Sequence, residues 1–151
     1  MKNKAYRGYN HSKREYFYGF KIQIITTADG VPIEFFITAG SFHNSTAFEA
    51  MNIDLPPGSL LYADSAYTNY LLNDYYKELE QIYLLAERKS NSKRPDAPAL
   101  KFIKKIMRKR IETSFSEILN YFPRKIHAVT PKGFILKIVL FICAYTFNRV
   151  I

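Results

Sequence analysis

Two carboxylates in this sequence have surroundings that suit a divalent metal. Asp64 ends the run Leu60-Leu61-Tyr62-Ala63 and is followed by Ser65-Ala66-Tyr67. A buried strand ending in a carboxylate places an oxygen ligand at the edge of a sheet, where loops and backbone groups converge. Glu112 lies four residues after Arg108 in a strongly basic stretch. A carboxylate held among cations stays ionised and ready for a hard divalent ion. Such a pair suits Mg²⁺-dependent phosphoryl transfer, with Mn²⁺ as a possible substitute, the metal activating water or a 3′-hydroxyl and stabilising the leaving oxygen. Each acid also has a plainer reading. Asp64 would cap the turn that follows it, and Glu112 would form a surface ion pair with Arg108. Sequence spacing alone does not bring the two together.

The elements that must position these residues follow from periodicity. Residues 16–27 are rich in aromatic and β-branched side chains and predict a strand, Asp29-Gly30 a hairpin turn, and residues 31–39 the returning strand. Residues 44–51 predict a short helix capped by Asn44 or Ser45. Pro56-Pro57-Gly58 is a turn, and residues 59–63 suit a buried strand leading to Asp64. A helix over 69–80 and a strand over 81–86 follow. Residues 88–98, with prolines, serines and cations, form an exposed loop. Over 99–122 the residues Ile103, Met107, Ile111, Phe115, Ile118 and Phe122 recur at spacings of three and four, predicting one apolar helical stripe with Glu112 at its margin. Pro123 stops it. A last apolar helix runs from about Pro131 to the C-terminus. The run 138–147 is shorter than the roughly 20 residues of a membrane span, so a buried helix and no membrane partner are expected. The order of elements predicts a mixed α/β layer arrangement.

Charge indicates the partner. The 151 residues carry 22 basic and 13 acidic side chains, a net +9. Residues 88–132 alone hold 13 Lys or Arg against Asp96, Glu112 and Glu117. A concentrated excess of this kind is the footprint of a polyanion-binding surface, with a solvated helix face as the plainer reading. In the loop, Arg88, Lys89, Lys93 and Arg94 are the expected phosphate contacts, since flexible cations bind DNA backbone without sequence preference. The tyrosines at 67, 70, 75 and 76 suit core packing at least as well as base stacking. Of the three histidines, His43 is expected as a loop residue with a local hydrogen bond, and His11 and His127 as solvent-exposed or near phosphate. The single cysteine, Cys143, excludes an internal disulfide and fits a reducing compartment, the cytoplasm.

Four motifs then occur in a telling order: Tyr18-Gly19-Phe20-Lys21, Gly40-Ser41-Phe42-His43, Tyr62-Ala63-Asp64-Ser65-Ala66-Tyr67 and Arg108-Lys109-Arg110-Ile111-Glu112. Over roughly residues 16–122 the chain resembles bacterial insertion-sequence transposases. The resemblance implies an RNase H-like catalytic domain, a mixed sheet flanked by helices, with a DDE triad. It makes Asp64 the second Asp and Glu112 the Glu of that triad, with Arg108 on the same helix. Related families carry a Tyr three residues before the Arg and a Lys seven after the Glu, where this chain has Lys105 and Leu119. Lys105 and Arg108 remain expected DNA contacts, whereas Leu119 cannot be one.

The resemblance places the first Asp on a strand before Tyr18-Gly19-Phe20-Lys21, yet no Asp precedes Asp29 here. It therefore implies an N-terminally truncated domain lacking its first strand, inactive alone. The expected organisation is a basic flexible segment over 1–15, the partial domain over 16–127 and an apolar helix over 128–151 packing on it. The expected partners are DNA, as transposon ends and target, and a second copy of the chain in a homo-oligomer. A non-enzymatic DNA-binding module and a metal-dependent nuclease on the same fold are the alternatives.

Overall fold

The structure, a computed structural model, describes residues 3–10, 13–51 and 53–151. It is mixed α/β, with three two-stranded sheets and four α-helices among the described residues. The chain divides into two units, residues 1–42 with 112–151, and residues 43–111. The N-terminal segment and the C-terminal helix thus fall in one unit.

In the first unit, β1 (Arg7–Asn10) pairs antiparallel with β2 (Glu15–Tyr18). Residues 1–15 were expected to lack fixed structure. Instead Lys4–Tyr6 forms a helical turn capped by Asn3, and β1 follows it. Low hydropathy hid this strand, because it is held by backbone pairing and by one close approach. A Cβ on Gly8 would lie 2.5 Å from the carbonyl oxygen of Gly40, and a Cβ on Gly40 equally close to that of Tyr6. The Gly19 amide donates to Tyr6 and the Gly40 amide to Gly19, at 2.9 and 2.8 Å. Side chains would hold these backbones apart.

Gly19 also divides the predicted strand over 16–27 into β2 and β3 (Phe20–Thr26). β3 pairs antiparallel with β4 (Pro32–Ala39) across the expected Asp29-Gly30 turn. Gly30 adopts φ +83°, and the Thr27 amide donates to the Val31 carbonyl at 2.8 Å. The long helix α4 (Pro131–Val150) begins at Thr130, whose hydroxyl accepts from the Gly133 amide at 3.0 Å. Its inner face is Ile138, Ile142 and Tyr145. The Tyr145 hydroxyl accepts from Arg149 Nε at 2.9 Å and lies 3.4 Å from the Gly30 carbonyl oxygen. The Arg149 guanidinium also pairs with Glu117.

In the second unit, β5 (Leu60–Ala63) pairs parallel with β6 (Tyr83–Ala86). The cap position of helix α1 (Asn44–Ala50) is His43, not Asn44 or Ser45, and no side chain caps it. Helix α2 (Tyr70–Tyr75) is capped by Asn69, which accepts from the Leu72 amide at 3.1 Å. It continues through a wider turn, Tyr76–Glu80, and ends at Gln81 with φ +54°. The core of this unit comprises Ala47, Phe48, Met51, Ile53, Tyr76, Ile82, Leu84 and Ala86.

Helix α3 (Pro98–Asn120) contributes to both units. Its inward residues are Lys104, Ser114 and Ile118, with Met107, Ile111 and Phe115 half-buried. The predicted stripe began one position earlier. Ile103 is exposed and Lys104 takes the inner place, because its ammonium finds polar partners there. The expected single mixed sheet is seen as three separate strand pairs, each leaving outer edges unpaired by any described strand.

Candidate active site at the end of the parallel strands

Asp64 directly follows β5, and its side chain is exposed. One carboxylate oxygen accepts from the Ser65 amide at 2.6 Å, while its carbonyl accepts from the Tyr67 amide at 3.0 Å. The plainer reading is therefore present: Asp64 caps the single turn Ser65–Tyr67. That cap uses one oxygen, and its other oxygen has no hydrogen-bond partner among the described residues. Tyr67 packs edge-on against Phe48. Burial raises the Tyr67 phenol above its ordinary pKa, and the Asp64 charge adds to this.

The neighbouring strand ends at the same level. Ala63 is opposite Ala86, and the Glu87 amide donates to the Ala63 carbonyl at 3.0 Å. Asp64 and Glu87 are thus the first residues beyond the paired strands, at the carboxyl end where open α/β sheets bind ligands. Two cations of α3, one turn apart, grip this end. Lys104 Nζ donates to the Ala86 carbonyl at 2.9 Å and to Asp96 at 2.7 Å. Arg108 donates to Glu87 at 2.8 Å. Lys104 is only 4% exposed, and the second oxygen of Asp96 is buried without a hydrogen bond. Sequence reasoning missed Glu87, Asp96 and Lys104. The one available signal was the spacing of Lys104, Arg108 and Glu112 by four residues, which puts them on one helical face.

Glu112 is exposed and lies one turn beyond Arg108 on α3. It belongs to the first unit, whereas Asp64, Glu87, Lys104 and Arg108 belong to the second. Among the described residues, no three His, Cys, Asp or Glu side chains cluster so as to hold a metal. The chemistry of the donors nevertheless fits a hard cation. Mg²⁺ is commonly held by one or two carboxylates, with waters and phosphate oxygens completing its shell. An exposed carboxylate such as Asp64, with an oxygen to spare, is suited to that.

The loop after β6 differs from the flexible basic loop expected. Arg94 donates twice to Asp74 on α2, at 2.6 and 2.9 Å. The Arg88 and Arg94 guanidinium carbons each lie 4.9 Å from the centre of the Tyr70 ring. The Tyr70 hydroxyl is 2.8 Å from Ser92 Oγ. That hydrogen bond, with Arg88 nearby, lowers the Tyr70 pKa. Arg94 holds the Asp74 carboxyl below its ordinary value, chiefly by hydrogen bonding. Lys89, Lys93 and, on α3, Lys105 are exposed.

Of the other residues singled out, Tyr76 is buried and Tyr75 packs edge-on against it. Their spacing therefore reflects packing. His43 is the residue before α1, and its carbonyl accepts from the Ala47 amide at 3.0 Å. His127 is exposed, and its carbonyl accepts from Lys137. His11 lies outside the described residues. Helix α4 was expected to be buried, and the apolar run 138–147 within it to be too short to span a membrane. The helix has 20 residues and is long and apolar enough for that by length and composition, with 17% of its most apolar window buried.

The Tyr-Gly-Phe-Lys motif spans the end of β2 and the start of β3. Gly40-Ser41 follows β4, Asp64 follows β5, and Arg108 to Glu112 lie on α3. No curated protein and no solved structure matches the chain. The family described as transposase DDE domain matches residues 1–147, nearly its whole length. With its acidic strand end gripped by a basic helix, the chain belongs to the transposase DDE domain family.

Proposed function

We propose that Asp64 and Glu112 are two carboxylates of a Mg²⁺ site serving DNA strand cleavage and transfer, on an RNase H-like scaffold. DNA transposition is the function of the family, which acts on DNA and generally uses divalent metal ions. The observation that carries the proposal is the grip of α3 on the strand end beside Asp64. Lys104 and Arg108 bond to Ala86 and Glu87, and Glu112 follows one turn later on the same face. Bound there, a divalent ion supplies Lewis-acid stabilisation of the phosphate and of the leaving oxygen. The chain's own residues contribute a rigid base for it: Asp64 held by the Ser65 amide, Arg108 held by Glu87.

In this reading Asp64 and Glu112 supply two of the three carboxylates of a DDE triad, and the chain alone is expected not to cut DNA. Its place of action is the cytoplasm. The test is a nicking assay on the purified chain with Mg²⁺ or Mn²⁺, paired with calorimetry of Mn²⁺ binding. No nicking is expected, together with weak Mn²⁺ binding that Asp64→Asn abolishes. Metal-dependent nicking that disappears in Asp64→Asn would overturn the inactivity. The cap formed by Asp64 favours a second reading, a DNA-binding module whose acids are structural. A Mn²⁺ signal indifferent to both Asp64→Asn and Glu112→Gln would establish that reading instead.

A further inference from the structure

We propose that the tip of the loop over 88–98 is a preorganised seat for DNA phosphates, in which Lys89 and Lys93 make the contacts and Arg88 and Arg94 are internal anchors. The inference rests on the reading above that DNA is the partner, and it divides roles among four cations that the sequence cannot distinguish.

The division comes from where the charges are already spent. The two-pronged bond of Arg94 to Asp74 ties the loop to α2, and a forked pair of this kind fixes orientation as well as distance. Arg88 and Arg94 both approach the Tyr70 ring, where the π-face attracts a guanidinium. Ser92 joins these parts. Its hydroxyl meets the Tyr70 hydroxyl at 2.8 Å and accepts from the Arg94 amide at 3.2 Å, while its amide donates to the Lys89 carbonyl at 3.0 Å. That last bond closes a turn over residues 89–92, and Lys93 follows directly.

Lys89 opens this turn and Lys93 follows it, both exposed, with no acid among the described residues bonded to either. The nearby acids are occupied, Asp74 by Arg94 and Asp96 by Lys104. What the tip presents to solvent is therefore two ammonium groups on a braced turn. A lysine ammonium is a compact charge that meets phosphate without base preference. The brace reduces the ordering cost that a free loop would incur on binding.

The experiment is fluorescence anisotropy of a labelled DNA duplex with the full chain over a salt series, with thermal melting of every variant. Lys89→Ala/Lys93→Ala is expected to melt like the parent and to bind more weakly, by on the order of tenfold at moderate salt, with a salt slope shallower by about 1.8. Lys89→Arg/Lys93→Arg restores both. Asp74→Asn releases Arg94 without removing a cation; it is expected to weaken binding a few-fold and leave the slope unchanged. An unchanged slope in the double alanine variant overturns the proposal. So does tighter, steeper binding in Asp74→Asn, because Arg94 would then be a phosphate contact held in reserve. Lys89- and Lys93-dependent binding to phosphatidylserine vesicles in preference to DNA also overturns it. If the parent chain binds no DNA even at low salt, the reading on which the proposal rests falls with it.

Discussion

Helices α3 and α4 reverse the usual relation between hydropathy and burial. α3 is basic, yet it buries Lys104 and Ser114 while exposing Phe102 and Ile106. α4 is apolar almost throughout, yet Leu136, Leu140, Phe147 and Val150 lie open to solvent and only Ile138, Ile142 and Tyr145 are buried. Burial follows the atoms available opposite each face. Opposite Lys104 are a strand-end carbonyl and a carboxylate, which compensate an ammonium for lost water. The outer face of α4 meets no packing partner among the described residues, whatever its hydropathy.

The largest expected effect tests the polar side of this contrast. Lys104→Ala leaves Asp96 as a buried, unpaired charge and is expected to cost roughly 3–5 kcal/mol in denaturant unfolding. Lys104→Met with Asp96→Leu removes both charges and should recover most of that loss. If the double variant is as unstable as the single one, the pair is needed for more than charge compensation.

The apolar side comes next. Ile142→Ala on the inner face of α4 is expected to cost roughly 2–5 kcal/mol. Leu140→Ala, on the outer face, should stay within about 0.5 kcal/mol. Equal losses at the two positions would mean that the outer face is covered in solution.

Smaller effects concern the exposed grips. Arg108 and Glu87 are partly solvent-exposed, so Arg108→Ala should lower stability by less than about 1 kcal/mol. A loss as large as that of Lys104→Ala would mean that the pair is desolvated. The smallest effect is the pH response of the loop. The folded-state pKa of Asp74 is depressed by Arg94, so its contribution is present above the ordinary Asp value and is lost as pH falls through the depressed one. Amide protection around Ser92 and Arg94 should therefore hold at neutral pH and fall in acid. Unchanged protection in Asp74→Asn at neutral pH would remove the clamp from the account.

Much of the chain was legible beforehand. The hairpin was visible because Asp29-Gly30 demands a positive φ, and Gly30 has one. The strand before Asp64 and the long basic helix were visible because their apolar residues follow the strand and helix periods. β1 was not, because its support comes from glycine backbones brought together from distant positions, Gly8, Gly19 and Gly40. The inner position of α3 was misjudged by one residue, because periodicity counts hydrophobes and cannot see a carbonyl waiting for an amine.

The sequence by itself determined the mixed α/β class and the family motifs, and it singled out Asp64 and Glu112 as candidate acids. These depend on local pattern and residue type, which need no partner to be recognised. Only the tertiary structure decided which cations are already committed. Asp74 and Tyr70 hold Arg94, Glu87 holds Arg108, and Ala86 with Asp96 holds Lys104. Each of these pairings joins residues between 8 and 24 positions apart in the chain, and folding alone sets which charge meets which.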